Sequence, residues 1–180
     1  PIENEFYVGD PRQVGFTDHA KTIPVIIGSV MAEFAFRPGI PHKYDLTDEQ
    51  QMALLYKRLE GGKEAAENVA KLFKETYPEK NLTDVLVLDA MCREASKDFA
   101  RKKAAHTESP AYCYLFNFEF PYDDGKPAWH CSDIPFFFHN TDKVVICDVP
   151  GVSDQLEEKM AGSFVNFAKY GTPDYPSLPK

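Results

Sequence analysis

Two stretches of this chain are apolar in the way strands are, and the segments between them carry the wider spacing of helices. Residues 23–30 (IPVIIGSV) form a β-branched, almost wholly apolar run, the pattern of a strand covered on both faces. Residues 110–120 (PAYCYLFNFEF) are aromatic-rich and bounded by prolines, which predicts a strand over 111–119. A further run, 143–149 (KVVICDV), fits a short strand. Thr47 with Gln50 has the form of a capping box ahead of a helix near 48–59, which Gly61 and Gly62 would stop. Ala66, Val69, Ala70 and Phe73 fall at helical spacing over 63–76, a segment closed by Tyr77 and Pro78, and a third helix fits 84–105. Asp154 with Glu157 offers a second capping box for a final helix over 154–170, ended by Gly171 and Pro173. Roughly eighty residues of helical pattern between the two main strands imply a crossover connection and parallel pairing. The expected class is therefore α/β, parallel strands with helical crossovers, in a single unit over 1–180: strand 23–30, helices 48–105, strand 111–119 and C-terminal helix 154–170. Residues 172–180 read as a Pro-rich surface tail.

The chain has 180 residues, 43% of them apolar, and carries 14 Phe and 9 Tyr, so it can bury a core without a disulfide or metal staple. That content excludes global disorder. The net charge of −8 disfavours a phosphate-tracking surface, and nucleic acid is not an expected partner. The only basic run, Arg101 to Lys103, falls near the end of a predicted helix, where cations complement the helix dipole. No apolar run is long enough to cross a membrane. Cys92, Cys113, Cys131 and Cys147 form no CxxC pair and read as free thiols of a reducing compartment, so a cytoplasmic location is expected. No secretory signal is visible, but the chain opens at Pro1 with no Met, so the natural N-terminus is expected to lie upstream and that absence carries little weight.

Two ionisable residues sit just past predicted strands, where open α/β sheets carry their sites: Glu33 and His130. Glu33 lies in the apolar company of Met31, Ala32, Phe34 and Phe36, where carboxylates are rarely placed without a partner. Parallel neighbouring strands would bring it to His130. A carboxylate that fixes a histidine tautomer and steadies its imidazolium is the rear two-thirds of a nucleophilic triad. A lone Glu and a lone His also serve simply to satisfy local hydrogen bonds, and spacing alone leaves both readings open.

At these residues the sequence resembles the type-B carboxylesterase family, which includes cholinesterases and bacterial para-nitrobenzyl esterases and has the α/β-hydrolase fold. Gly28-Ser-Val-Met-Ala-Glu33 is similar to the segment in which a strand-end glycine precedes the triad acid by five positions, with Ala32 and Phe34 where the family usually has Asp and Gly. His130-Cys-Ser-Asp133-Ile-Pro-Phe-Phe-Phe138 resembles the block that carries the triad histidine, with Cys131 in place of the usual Gly. Tyr112-Cys-Tyr-Leu-Phe-Asn-Phe118 resembles the strand leading to that histidine. Phe164-Val-Asn-Phe167-Ala168-Lys-Tyr-Gly171-Thr-Pro173 resembles the closing helix, with Phe164 for the usual Trp.

The family's nucleophile is a serine in a Gly-x-Ser-x-Gly elbow, and this chain has no such elbow. Gly151-Val-Ser153-Asp-Gln155 imitates it but follows His130, against the fold's order of serine, acid, histidine, and helix initiation explains it better. The Gly-rich oxyanion loop is also absent. The resemblance thus implies the C-terminal portion of a serine ester hydrolase, catalytically inert alone, with Glu33 and His130 as its catalytic residues and no cofactor or metal. Its implied partners are a small-molecule ester and the missing N-terminal part of the same protein; membranes are not among them. Self-association is expected through the strand edge that part would cover.

The alternatives are an inert, cholinesterase-like interaction protein, a Cys-His hydrolase using Cys131 or Cys113, and a metal site among His19, His42, His106, His130 and His139, whose spacings match no ligand motif. Asp133 reads as a turn residue or a support for the histidine loop, and Phe136 to Phe138 as core packing or a substrate pocket.

Overall fold

A computed structural model of the chain describes residues 4, 5, 7–35, 39–105, 108–176 and 178. Phe36 and His106 lie outside the described residues, as do both chain ends. In chain order the helices are α1 (Pro11–Val14), α2 (Asp18–Lys21), α3 (Asp48–Arg58), α4 (Gly62–Thr76), α5 (Cys92–Ala105), α6 (Ile134–Phe137) and α7 (Ser153–Tyr170). The strands are β1 (Val25–Val30), β2 (Ala111–Phe116), β3 (Glu119–Phe120) and β4 (Lys126–Pro127). Where the sequence suggests one unit over 1–180, contacts along the chain gather in two compact, interleaved units. The first holds residues 1–29, 90–116 and 133–180; the second holds 30–89 and 117–132.

In the first unit, β1 and β2 form a two-stranded sheet. The Val25 amide donates to the Pro110 carbonyl at 3.1 Å, so the strands start side by side and run parallel, as the long helical crossover requires. Gly28 lies under the Tyr114 ring, which a Cβ at that position would strike. α5 packs on β2, and α6 packs on α7. Phe116 and Phe136, both buried, meet with ring centroids 5.0 Å apart. α7 stops where the sequence predicts, at Gly171, whose φ of 73° suits a residue without Cβ.

In the second unit, α3 and α4 pack together. The capping box at the start of α3 is formed: Thr47 Oγ1 accepts from the Gln50 amide, and Gln50 Oε1 accepts from the Thr47 amide. α4 buries Ala66, Ala70 and Phe73, three of the four residues its spacing points to. β3 and β4 make an antiparallel hairpin with Glu119 opposite Pro127 and Phe120 opposite Lys126. Its turn is unusual: Asp123, Asp124 and Gly125 all have left-handed backbone, with φ of 52°, 54° and 82°.

Four sequence expectations need correction. Residues 143–149 are not a strand but a series of turns, closed by bonds such as Cys147 N to Val144 O at 2.7 Å. Val145 is 87% exposed, so this β-branched run has no sheet to join. The helix expected over 84–105 is two elements, a 3-10 stretch Leu82–Val87 capped by Asn81 and then α5. Between them the Asp89 amide donates to the Met31 carbonyl at 3.1 Å, which takes the chain out of helix. The strand expected over 111–119 ends at Phe116, because Glu119 and Phe120 pair with the hairpin instead.

The capping box expected at Asp154 and Glu157 is absent: α7 begins at Ser153 without a side-chain cap. Glu157 instead takes the Thr141 amide at 3.0 Å and the Thr141 hydroxyl at 2.7 Å. The basic run also does more than face a helix end. Lys103 is 1% exposed, and its ammonium donates to the Ala20 and Lys21 carbonyls and to Ser109 Oγ, tying α2 to α5. Among the described residues, no helix is long and apolar enough to cross a membrane.

Candidate active site

Glu33 and His130 both belong to the second unit. The chain leaving β1 is pinned by backbone bonds before any side chain acts: Ala32 N to Ala128 O at 2.8 Å, and His130 N to Glu33 O at 3.2 Å. The second of these bonds sets the histidine beside the acid. Glu33 is buried, at 8% exposure, and its carboxylate is shared between two donors. The Val30 amide donates to Oε1 at 3.2 Å, and His130 Nδ1 lies 2.8 Å from Oε2. A carboxylate oxygen can only accept from a ring nitrogen, so the contact favours the tautomer with the proton on Nδ1, in which Nε2 keeps its lone pair. The His130 side chain is 60% exposed, which leaves the ring open to solvent.

The backbone at the histidine is a tight turn. The Ser132 amide donates to the Trp129 carbonyl at 2.9 Å, which places His130 and Cys131 at the two central positions. Only Cys131 of these two has positive φ, at 67°, the pattern of a type II turn, whose second central position favours glycine. This accounts physically for the glycine usual at that place in the resembling sequences. Before the turn, Trp129 packs at a tilt against the fully buried Phe120 with centroids 4.5 Å apart, anchoring the segment that carries the histidine.

The other candidates fall elsewhere. Ser153 is fully buried; its hydroxyl donates to the Cys147 carbonyl and accepts from the Val149 amide at 2.9 Å, so it serves the start of α7 and cannot reach a substrate. Asp133 stands at the N-cap of α6 without a side-chain cap bond, and its Oδ2 instead accepts from the Tyr114 hydroxyl at 2.9 Å. Phe136 is core, whereas Phe138 is 64% exposed. Among the described residues no group of three or more His, Cys, Asp or Glu is placed to hold a metal ion. Sequence reasoning missed a second carboxylate–imidazole contact, His139 Nδ1 to Glu157 Oε1 at 3.4 Å, because the capping-box pattern had given Glu157 another use.

No family model matches the chain, and no curated protein matches it. Solved structures do. An esterase from anaerobic Clostridium hathewayi, described as able to hydrolyse aliphatic aromatic polyesters, is 42% identical with a TM-score of 0.92, covering 100% of this chain and 35% of its own. A thermophilic PNB esterase is 26% identical with a TM-score of 0.55, over 87% of this chain and 32% of its own. A further PNB esterase, 24% identical with a TM-score of 0.52, shows the shared fold. The chain spans about a third of the length of the structures it matches. The chain is thus similar to part of these esterases, PNB esterases among them, and carries part of the α/β-hydrolase fold.

Proposed function

We propose that this chain is the C-terminal portion of a serine carboxylic ester hydrolase, in which Glu33 and His130 are the acid and base of a triad whose serine lies outside residues 1–180. The single observation that carries this reading is the 2.8 Å contact between His130 Nδ1 and the buried Glu33 carboxylate, which leaves Nε2 as a proton acceptor. In the intact enzyme a serine hydroxyl attacks the ester carbonyl as His130 Nε2 takes its proton. His130 then returns that proton to the departing alcohol, and a water repeats the sequence to release the acid. Glu33 holds the tautomer and steadies the imidazolium without taking the proton itself. The inert interaction protein is the less favoured reading, since an oriented acid–base pair has no use in it.

The chain alone lacks the attacking atom, and loss of a triad nucleophile removes on the order of a million-fold in turnover in a serine hydrolase. The isolated chain is therefore expected to show no hydrolysis of para-nitrophenyl acetate above background. Placed in the Clostridium esterase in exchange for the portion it matches, it is expected to support hydrolysis that His130→Ala abolishes. Turnover by the isolated chain, or a chimera indifferent to His130→Ala, would sink the assignment.

The remaining part of the enzyme has a place to sit on the first unit. There a groove of about 330 Å³ runs past Ile26 and Ile27 of β1 to Phe137, Phe138 and Phe164. Among the described residues the sheet has only β1 and β2, and a strand edge with no neighbour is a template for pairing. Chains made without their partner portion are expected to self-associate, and sedimentation giving a clean monomer at high concentration would refute this.

A further inference from the structure

The turn of the β3–β4 hairpin ends five residues before His130, and among the described residues it holds three successive left-handed residues, Asp123, Asp124 and Gly125. Two of these are not glycine, so the conformation persists only because something holds it. That something is the segment 39–43, which begins six residues after Glu33. The Gly39 amide donates to Asp123 Oδ2 at 2.7 Å, and the His42 amide donates to Asp124 Oδ2 at 2.6 Å. The Lys43 ammonium, on a side chain 3% exposed, donates to the Gly125 carbonyl and to Asp84 Oδ1, the latter at 2.8 Å. Three consecutive turn residues are thus each gripped, the first two through their carboxylates and the third through its carbonyl. His42 itself has positive φ, at 53°, so strained backbone sits on both sides of the grip.

From the gripped turn the chain passes through β4 to Ala128, whose carbonyl accepts from the Ala32 amide, and then to His130, whose amide donates to the Glu33 carbonyl. The same two segments are joined twice, once at the clamp and once at the acid–base pair. We infer that Lys43 and the Asp123–Gly125 turn are positioning residues for His130: the clamp fixes the hairpin so that the ring meets Glu33 through Nδ1 rather than turning freely into solvent. The inference rests on the proposed role of the Glu33–His130 pair. The ring is 60% exposed, so its setting leans on the backbone that carries it.

The test is the tautomer of His130 in the full chain, read by long-range nitrogen–proton NMR on labelled protein at a pH where the ring is neutral. Two variants loosen the clamp. Lys43→Met with Asp84→Asn removes the ammonium without leaving an unpaired buried charge. Asp123→Ala with Asp124→Ala removes both amide bonds from the more exposed side of the turn and decides the matter should the first variant not fold.

In the unaltered chain the Nδ1–H form is expected to dominate. In a folded variant the ratio of Nδ1–H to Nε2–H is expected to fall roughly tenfold, about the weight of one charge-assisted hydrogen bond, with the urea midpoint of the rest of the chain retained. A ratio unchanged in folded variants overturns the clamp while leaving the pair intact. An unaltered chain that lacks the Nδ1–H form overturns the pair, and the clamp with it.

Discussion

Cys131 stands with φ of 67° at the second central position of the turn that presents His130, and it is exposed. A side chain there buries little, so a substitution changes mainly the backbone energy. Holding an L-residue in left-handed conformation costs about 1–2 kcal/mol. Glycine removes that cost but gives the unfolded chain more freedom, worth about 0.4–1 kcal/mol in the opposite direction. Cys131→Gly is therefore expected to stabilise the chain by about 1 kcal/mol, which for a chain of this size raises the melting temperature by about 3 °C. Cys131→Ala is the control, since alanine keeps the Cβ and the strain and should leave stability within about 0.3 kcal/mol of the starting protein. The assay is urea unfolding followed by tryptophan fluorescence, with Trp129 the only indole and two residues from the site of change. A glycine variant no more stable than the alanine variant would show that the turn carries no such strain, and the physical account of the glycine usual at this position would fail.

Other expectations follow from buried groups. Burial pushes the Cys147 thiol from an ordinary 9.0 up to about 11. The folded state then keeps a proton that the unfolded state releases, so stability falls as pH rises from 9 towards 11, by about 1 kcal/mol at pH 10. Cys147→Ala should abolish that part of the loss, and equal pH slopes for the two proteins in urea unfolding between pH 8 and 10 would refute it. Lys103→Met should cost about 2–3 kcal/mol, because the Ala20 and Lys21 carbonyls lose a buried charged donor; an unchanged urea midpoint would count against the tie between α2 and α5. Gly28→Ala should cost about 1–3 kcal/mol by driving a Cβ into the Tyr114 ring, and retained thermal stability would show that the ring moves aside freely.

Local patterns foretold local structure well. The capping box at Thr47, the buried stripe of α4, the glycine stop of α7 and the two main strands all express forces acting within a few residues. The errors came where a distant partner outbid a local one. Residues 143–149 had strand propensity but no neighbouring strand, and Asp89 left the helix to bond Met31. Glu157 abandoned a cap for Thr141. At the candidate site, Glu33 and His130 stood out through their places after predicted strands and through motif resemblance. The clamp did not, for the acidic turn 123–125 looks like ordinary turn chemistry until segment 39–43 is seen bonding to it. The burial of Lys103 was equally hidden, since a lysine near a helix end looks the same in sequence whether solvated or enclosed.

The proposed acid and base lie in one compact unit, joined through backbone as well as side chain, although ninety-seven residues separate them along the chain. On the proposed reading, proton handling is thereby packaged as a cassette. Recombination that exchanged the remainder of such an enzyme, pockets and attacking group included, would deliver this relay already assembled. A redesign could then vary the nucleophile or the specificity of the other portion without rebuilding the part proposed to move the proton.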